Sequence, residues 1–421
     1  MKTVGIITLG CRVNQYESVA LAEELQKRGF EIKKDEAGCD FYLVNTCAVT
    51  AESQRQCRQT VRRLASMAPT AVIGCAPQAA ENEFASIENV FYVGGCDHKM
   101  AAADAIEKYQ PALAVSPMEH AGYEKMSLSG ESDLFSTCRG YLKIQDGCSG
   151  KCTYCIISAL RGPTRSRPTE DILAEASRMV QNGYKELVLT GIETSAFNSC
   201  RLEDLIERLG MLQKDGLARL RLGSLSSGTL RKEFLSKVSA VPVFMPHIHL
   251  SLQSGSDAVL ERMKRPDRRA QMDERISLLK EYIPNVQISA DLITGFPGET
   301  EEDYLMTESL VKQANFLHVH AFPYSERPGT PAATMDGKVE KEVRKERCKR
   351  LNALSDAIRE TILRGFINKT VTVLIEKVKD GVAVGHSEEF IECHFPAKGH
   401  RTGELVSVLC LGQDGKSLLC E

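Results

Sequence analysis

Three cysteines in one short loop constrain this chain more than any other feature of its sequence. Cys148, Cys152 and Cys155 (the loop trio) follow a predicted strand directly, in the sequence GCSGKCTYC. Each of these thiolates can bind one iron of a cubane cluster, which leaves the fourth iron without a protein ligand. That iron can then bind a small molecule, much as a catalytic zinc ion keeps one open position. The alternative is a structural zinc loop with a distant fourth ligand such as Cys138.

The composition favours an intracellular thiol or metal site over a disulfide scaffold. The chain has 421 residues and 15 cysteines, an odd number and too small a share for a disulfide-stapled domain. In a reducing compartment such cysteines are metal ligands, catalytic thiols or buried packing residues. The net charge of −3 is slightly negative, so overall charge alone does not attract nucleic acid. No long apolar run and no signal-peptide pattern is present, so we expect a cytoplasmic protein without a membrane segment.

Hydrophobic patterning divides this α/β chain into three folded parts and a linker. Residues 1–115 alternate apolar runs with amphipathic stretches, which predicts a doubly wound parallel sheet covered by helices. Residues 116–137 show little periodicity and are predicted to form a linker. Residues 138–365 contain six further strand–helix units, which favour a partial (β/α)6 barrel with a charged helical extension. Residues 366–421 carry short β runs punctuated by glycines, which predict a small all-β barrel.

A second group of cysteines lies in the N-terminal part of the chain. Cys11, Cys47 and Cys75 (the N-terminal trio) each follow a predicted strand. The carboxyl ends of the strands in a doubly wound sheet lie along one edge, where ligands bind. Three thiolates that are far apart in sequence can therefore meet at one site. Cys96 also follows a predicted strand, so this geometry alone leaves its role open.

The loop sequence GCSGKCTYC resembles the CxxxCxxC signature of radical S-adenosylmethionine (SAM) enzymes, and six strand–helix units suit their partial barrel. This resemblance implies a [4Fe–4S] cluster on the loop trio, with SAM bound to the open iron and cleaved to a 5′-deoxyadenosyl radical. It also implies SAM contacts for Tyr154, Gly191 and Gln253, which lie beside the third loop cysteine and at strand ends of one barrel face. The alternative for Tyr154 is a packing role in the core, and the alternative for Gln253 is that it only terminates a strand.

Three further motifs are similar to those of the methylthiotransferase branch of these enzymes: TLGCRVNQYES, NTCAVT and GCAPQ. The likeness implies that the N-terminal trio holds a second, auxiliary [4Fe–4S] cluster with an open iron, whereas Cys96 matches no cluster position. The stretches DLITGFPGET and PYSERPGT are also similar, so the likeness covers nearly the whole chain. Two stretches depart from the family pattern: Ser224–Gly228, where a Glu-Pro pair is expected, and MKRPDR, which begins at Met263.

The motif wording is most similar to the branch of the family that acts on N6-threonylcarbamoyladenosine. This resemblance implies that the nucleoside at position 37 of tRNA, next to the anticodon, is converted to its 2-methylthio derivative. One alternative is a methylthiotransferase that acts on another tRNA base or on a ribosomal-protein side chain. A more distant one is a non-catalytic Fe–S protein that binds RNA or senses iron, but a sensor needs only one cluster.

Any contact with RNA has to be local, because the overall charge is slightly negative. Arg161, Arg165 and Arg167 form a basic group near the loop trio and are candidates for phosphate contacts, with a salt-bridged surface as the alternative. Residues 366–421 resemble the RNA-binding TRAM domain, yet six Lys and Arg stand there against eight Asp and Glu. The family resemblance implies two partners, the tRNA anticodon stem-loop and a reducing electron donor such as flavodoxin or ferredoxin. We expect a monomer.

Overall fold

The computed structural model describes residues 1–33, 38–118, 122–129 and 138–421. Much of the predicted linker, 116–137, lies outside these ranges. Its described parts are 116–118 and 122–129, and the second of these buries Met126 and Leu128 in the main hydrophobic core. Within the described ranges, no helix combines the length and the apolar character needed to cross a bilayer.

The N-terminal part is one parallel sheet with helices on both faces. Its strands, in the order β2-β1-β3-β4-β5-β6, are β1 (Thr3–Thr8), β2 (Glu31–Lys33), β3 (Phe41–Thr46), β4 (Thr70–Gly74), β5 (Val90–Gly94) and β6 (Ala112–Ala114). Its helices are α1 (Arg12–Lys27), α2 (Ala51–Ala65), α3 (Cys75–Ala79), α4 (Glu81–Ala85) and α5 (Ala101–Lys108). Neighbouring residues of β3 enter different hydrophobic clusters, Leu43 with α1 and α5, and Val44 with α2 and α4. The predicted parallel sheet covered by helices is confirmed.

The strand order decides where the N-terminal trio lies. Strands β1, β3 and β4 are direct neighbours in the sheet. Each of them is followed at once by one of the three cysteines. The chain also changes its direction of growth across the sheet at β1, and such a switch point opens a crevice at the carboxyl edge.

The central part contains the six predicted strands and one further short strand, β12, all running parallel, in two adjoining sheets. One sheet has the order β11-β10-β7, the other β12-β13-β14-β15, and a bridge between Leu220 and Phe244 joins them. The strands are β7 (Arg139–Lys143), β10 (Glu186–Thr190), β11 (Arg219–Leu222), β12 (Ser224–Leu225), β13 (His247–Gln253), β14 (Gln287–Thr294) and β15 (His318–Pro323). A short antiparallel pair, β8 (Gln145–Asp146) and β9 (Arg165–Ser166), flanks the loop trio. The helices are α6 (Ile157–Arg161), α7 (Thr169–Gln181), α8 (Leu202–Gly210), α9 (Lys232–Val238), α10 (Asp257–Arg262), α11 (Arg269–Tyr282), α12 (Glu301–Ala314) and α13 (Lys341–Arg364).

The C-terminal part is a closed five-stranded barrel with its own core, and this confirms the predicted all-β unit. Its order is β16-β17-β18-β20-β19, with β16 (Thr370–Lys379), β17 (Val382–His386), β18 (Glu392–Pro396), β19 (Leu405–Gln413) and β20 (Leu418–Cys420). Two arginines of β11 fasten it to the central part. Arg219 donates to the backbone oxygen of Thr372 at 2.6 Å, and Arg221 donates to that of Ser387 at 2.8 Å.

Candidate functional site

The backbone approaches itself very closely around the N-terminal trio. Gly10, just before the first cysteine, has φ +109°, and a Cβ there would lie 2.7 Å from Cβ of Cys47. Gly74, just before the third, has φ +105°, and its Cβ would lie 2.7 Å from the backbone oxygen of Thr46. Only glycine accepts this combination of backbone angle and crowding. The two glycines therefore let the loops after β1, β3 and β4 touch.

Cys96 lies beside the N-terminal trio, a neighbour that the motif comparison left out. Its Sγ donates to Sγ of Cys75 at 3.8 Å. This hydrogen bond, together with the charge of Arg161, lowers the pKa of Cys75 to about 5. Burial raises the pKa of Cys47 to about 11. The position of Cys96 directly after β5, the next strand of the sheet, was the signal that could have found it.

Arg161 joins the two cysteine sites from a fully buried position. One guanidinium nitrogen lies 3.0 Å from Glu17 and 3.1 Å from Asp146. A second guanidinium nitrogen of Arg161 donates to Oδ1 of Asn14 at 2.7 Å, and Nε of Arg161 donates to Sγ of Cys75 at 3.4 Å. Since Glu17 and Asn14 belong to α1 while Asp146 ends β8, one side chain ties the N-terminal trio to the strand that leads into the loop trio.

The surroundings of Arg161 carry a buried surplus of positive charge. Lys99 and Lys143 both pair with Glu17, and Lys143 also lies 2.6 Å from Asp146. Three cations thus face two carboxylates, and they hold the pKa of Glu17 well below its usual range. Three thiolates bring negative charge to the same place, so the donor set and its surroundings fit a cluster with thiolate ligands.

The structure corrects the expectation that this basic group contacts RNA. Arg161 is buried in the network just described, and Arg167 is buried against Glu175 at 2.7 Å. Arg165 donates to the backbone oxygen of Arg161 at 2.7 Å and to that of Pro163 at 2.9 Å. Phosphate contacts need exposed guanidinium groups, but Arg161 and Arg167 are used inside the protein, and the half-buried Arg165 is held by backbone oxygens of its own loop.

The loop trio lies between β8 and α6, and all three of its cysteines are half-buried. A Cβ on Gly150 would stand 3.1 Å from Sγ of Cys148 and 4.0 Å from Sγ of Cys152, so both sulfur atoms border the same backbone turn. The proposed fourth zinc ligand, Cys138, is buried ahead of β7, whereas the loop follows that strand. Most of a strand's length therefore separates Cys138 from the loop trio, which disfavours the zinc alternative.

The ligands of an iron–sulfur cluster stand farther apart than the ligands of a single metal ion. Within the described residues, no three His, Cys, Asp or Glu side chains meet closely enough to hold a single metal ion. A cubane cluster binds a different iron to each thiolate, so its ligands stand farther apart. In each trio the cysteines are close enough to interact electrostatically, one group on a sheet edge and the other on a loop.

Two of the three predicted SAM contacts line one cavity. Tyr154 and Gln253 share with Cys155 a cavity of about 190 Å³, which we call the central cavity. Gly191 lies elsewhere around the loop trio, because a Cβ there would be 2.7 Å from Oε1 of Gln145. Gln145 stands three residues before the first loop cysteine, so Gly191 also lies close to the cysteine loop.

The central cavity is bordered by residues of both cysteine loops. Val49 and Thr50, which follow the second N-terminal cysteine, form one wall, and Cys155 and Ile156 form another. Asp291 of β14 lies in the same lining. A molecule in this cavity would lie next to both cysteine loops at once.

The two departures from the family pattern touch each other. Oγ of Ser227 donates to Oδ1 of Asp267 at 2.7 Å, and Arg275 lies 2.7 Å from the same oxygen. Ser227 belongs to the stretch 224–228, and Asp267 belongs to MKRPDR. These substitutions form one buried polar contact, and their spatial pairing was not visible in the sequence.

Comparison with known proteins gives consistent matches over the whole chain. A profile of the Radical SAM superfamily matches residues 142–311, and one described as Uncharacterized protein family UPF0004 matches residues 3–95. Threonylcarbamoyladenosine tRNA methylthiotransferase MtaB of Bacillus subtilis is 33% identical, with 98% of this chain and 94% of the relative covered. The protein of the same name from Thermotoga maritima is 36% identical, with 97% and 94% covered.

Solved structures share the fold. The radical SAM methyltransferase TsrM from Kitasatospora setae, solved with cobalamin and a [4Fe–4S] cluster bound, matches with a TM-score of 0.59. The match covers 79% of this chain and 77% of that one, at 15% identity. At that identity the likeness shows the arrangement of the backbone alone.

Proposed function

The chain belongs to the radical SAM methylthiotransferase family, and on that premise we propose that it adds a methylthio group to carbon 2 of N6-threonylcarbamoyladenosine at position 37 of tRNA. The observation that carries this proposal is the central cavity, which is lined by Cys155 of the loop trio and by Val49 and Thr50 of the loop after Cys47. Carbon 2 of adenine is neither acidic nor electrophilic, so acid–base side chains alone cannot place sulfur there. When bound, two [4Fe–4S] clusters and SAM supply the radical and sulfur chemistry, and the protein binds, orients and excludes water.

The six cysteines divide between the two clusters by their place in the fold. We assign the auxiliary cluster to Cys11, Cys47 and Cys75, and the SAM-binding cluster to the loop trio. The buried positive surplus around Arg161 supports the first assignment, because it offsets the negative charge that three thiolate ligands would bring to this place. For SAM itself we propose contacts with Tyr154, with Gln253 and with the backbone at Gly191.

A loop of the central part packs against the helix that follows the second N-terminal cysteine. Oγ of Ser325 accepts from the backbone N–H of Ala51 at 3.1 Å, and the buried Arg327 donates to Oε1 of Gln54 at 2.5 Å. Both partners belong to α2, the helix that follows the second N-terminal cysteine. The PYSERPGT stretch therefore forms the wall of the central cavity on the side of α2.

The remaining parts of the chain take roles that follow from the family. We assign residues 1–115 to the auxiliary-cluster domain, 138–365 to a partial (β/α)6 barrel with its helical extension, and 366–421 to a TRAM-like module. The closed five-stranded barrel supports the last assignment. The partners are the tRNA anticodon stem-loop and a reducing donor of the flavodoxin or ferredoxin class. We propose a monomer that works in the cytoplasm without a membrane segment.

Nucleoside mass spectrometry tests this function. tRNA from cells with and without the gene is digested, and 2-methylthio-N6-threonylcarbamoyladenosine is quantified. We expect the nucleoside to vanish without the gene, to return with the wild-type chain and with Cys200→Ala, and to stay absent with Cys152→Ala. Cys200 is a matched control, since it is a half-buried cysteine outside both trios. Unchanged methylthio nucleosides after loss of the gene would refute the assignment and direct the search to protein targets.

A further inference from the structure

A second cavity, rich in histidines, lies beside the central cavity. It has a volume of about 280 Å³ and its lining includes Arg12, His249, His318, His320 and Arg359. We call it the histidine cavity. The histidines come from β13 and β15, the arginines from α1 and α13, and the far side is formed by the C-terminal barrel. All three parts of the chain thus meet around one polar space.

Arg12 is the residue in this cavity that most needs a partner. It is the first residue of α1 and follows directly after Cys11 of the N-terminal trio. Its side chain is partly buried, and burial lowers its pKa, although a guanidinium stays charged. Among the described residues, no hydrogen-bond acceptor or carboxylate is in contact with its guanidinium. A charge withdrawn from water without a partner is costly, so this position fits an anionic ligand.

Two carboxylates, Glu186 and Asp291, act on Arg12 from a distance, but other side chains hold them. Glu186 is paired with Arg139 and Arg221. Oδ2 of Asp291 lies 3.0 Å from Nε2 of His249. Asp291 lines the central cavity and His249 lines the histidine cavity, so this single pair separates the two spaces. A ligand whose reacting atom sits in the central cavity can therefore extend a short arm past the pair to Arg12.

Two other basic groups of the cavity, His318 and Arg359, have no carboxylate partner among the described residues, whereas His249 and His386 are paired with Asp291 and Glu376. Burial lowers the pKa of His318 to about 4, so its ring is neutral near pH 7. That ring meets His320 edge-on, with the ring centres 4.2 Å apart. Arg359 bonds to the His318 ring and to the backbone oxygen of Leu317, both of which are uncharged. In the lining, Arg12, Arg359 and Lys416 stand against the single carboxylate Glu392, which leaves a positive excess.

We propose that the histidine cavity binds the carboxylate of the threonyl group on the substrate base, with Arg12 as its charge partner. This inference rests on the proposed function and deepens it. In an adenine ring only N1 stands between carbon 2 and the carbon that carries N6, so a substituent on N6 begins close to the reacting carbon. The threonylcarbamoyl arm ends in a carboxylate, and Arg binds carboxylates with two parallel N–H donors. Arg12 is thus a specificity-determining residue that recognises the acid.

Binding of three synthetic anticodon stem-loops tests the proposal. They carry N6-threonylcarbamoyladenosine, its methyl ester or unmodified adenosine, and their dissociation constants are measured anaerobically with the cluster-loaded protein. We expect the wild type to bind the acid about 10- to 100-fold more tightly than the ester, as loss of a charge-assisted contact implies. With Arg12→Gln the acid and the ester should bind equally. The control Arg58→Gln changes an exposed arginine of the same domain, paired with Glu83, and should keep the wild-type preference.

The outcomes separate this inference from the proposed function. Equal affinity of the wild type for acid and ester, with both methylthiolated, overturns the inference and leaves the function standing. Arg12→Gln could also lose as much affinity for the unmodified stem-loop as for the acid. That result would identify a backbone phosphate as the partner of Arg12 and would also overturn the inference. A wild type that methylthiolates neither threonylcarbamoyl substrate refutes the function itself. The ester comparison uses only the wild type, so it decides the question even if Arg12→Gln does not hold its clusters.

Discussion

The two cysteine sites are built in opposite ways. The N-terminal trio comes from three strand ends that are 36 and 28 residues apart in sequence, and two of its thiols are buried. The loop trio lies within eight residues of one loop, and its thiols are half-buried. The first site depends on a sheet, on glycines at the crossing points and on a buried charge network, whereas the second depends mainly on spacing. A site assembled by the fold is therefore more sensitive to changes away from its ligands.

The largest effect should come from removing one ligand at each site. We expect Cys152→Ala to abolish both 5′-deoxyadenosine formation from SAM and methylthio transfer. Cys75→Ala should keep SAM cleavage and lose the transfer, because the loop trio remains whole. Iron per chain and 5′-deoxyadenosine, measured by chromatography with mass detection, check this division. Identical losses in both variants would contradict the assignment of separate roles.

The next effect concerns the crowding at the N-terminal trio. Gly74 has φ +105° and ψ −154°, a region that only glycine occupies readily. Gly74→Ala should lower the free energy of unfolding by about 3 kcal/mol, at the upper end for such strain because the new Cβ meets a backbone oxygen. Denaturant unfolding at matched iron content measures the change. Gly412→Ala has open space around it and should stay within about 1 kcal/mol of the wild type.

A smaller loss should follow from breaking the network that joins the sites. Arg161→Met should lower the free energy of unfolding by about 2–3 kcal/mol, less than the usual cost of breaking a buried ion pair. The reduction is moderate because Lys99 and Lys143 still face Glu17 and Asp146. Arg58→Met, which breaks an exposed pair, should cost under about 1 kcal/mol. If the two variants lost the same stability, the network would have no special role.

The smallest effect belongs to the contact between the two family departures. Ser227→Ala removes the hydrogen bond that its Oγ donates to Asp267 and the longer one that it accepts from Arg275 at 3.1 Å, while Arg275 keeps its ion pair with the same carboxylate. We expect a loss of about 1 kcal/mol in the free energy of unfolding and unchanged iron content. Ser239→Ala, which removes an exposed hydroxyl of the same central part, serves as the control and should be nearly neutral. A loss of iron in Ser227→Ala would instead connect this contact to the loop trio.

Much of the architecture could be predicted from hydrophobic patterning. The six central strands, the parallel N-terminal sheet and the C-terminal barrel all follow from apolar periodicity and glycine punctuation. The charged side chains could not be predicted in the same way. A basic cluster in the sequence has the same appearance whether it is exposed or buried. Arg161 is buried against Glu17, which lies more than a hundred residues away in the sequence. Arg167 is buried against Glu175, which lies eight residues away.

The sequence by itself determined which residues can carry the chemistry, because thiol spacing and the position of a residue after a strand are local properties. It placed two groups of three cysteines at strand ends and led to the family through their motifs. Only the tertiary structure decided which distant side chains meet them: Cys96 beside Cys75, Arg161 between the two sites, and Arg12 facing a cavity of histidines. The physical reason is that charge pairing and desolvation depend on distance in space, which only the packing of the folded chain sets.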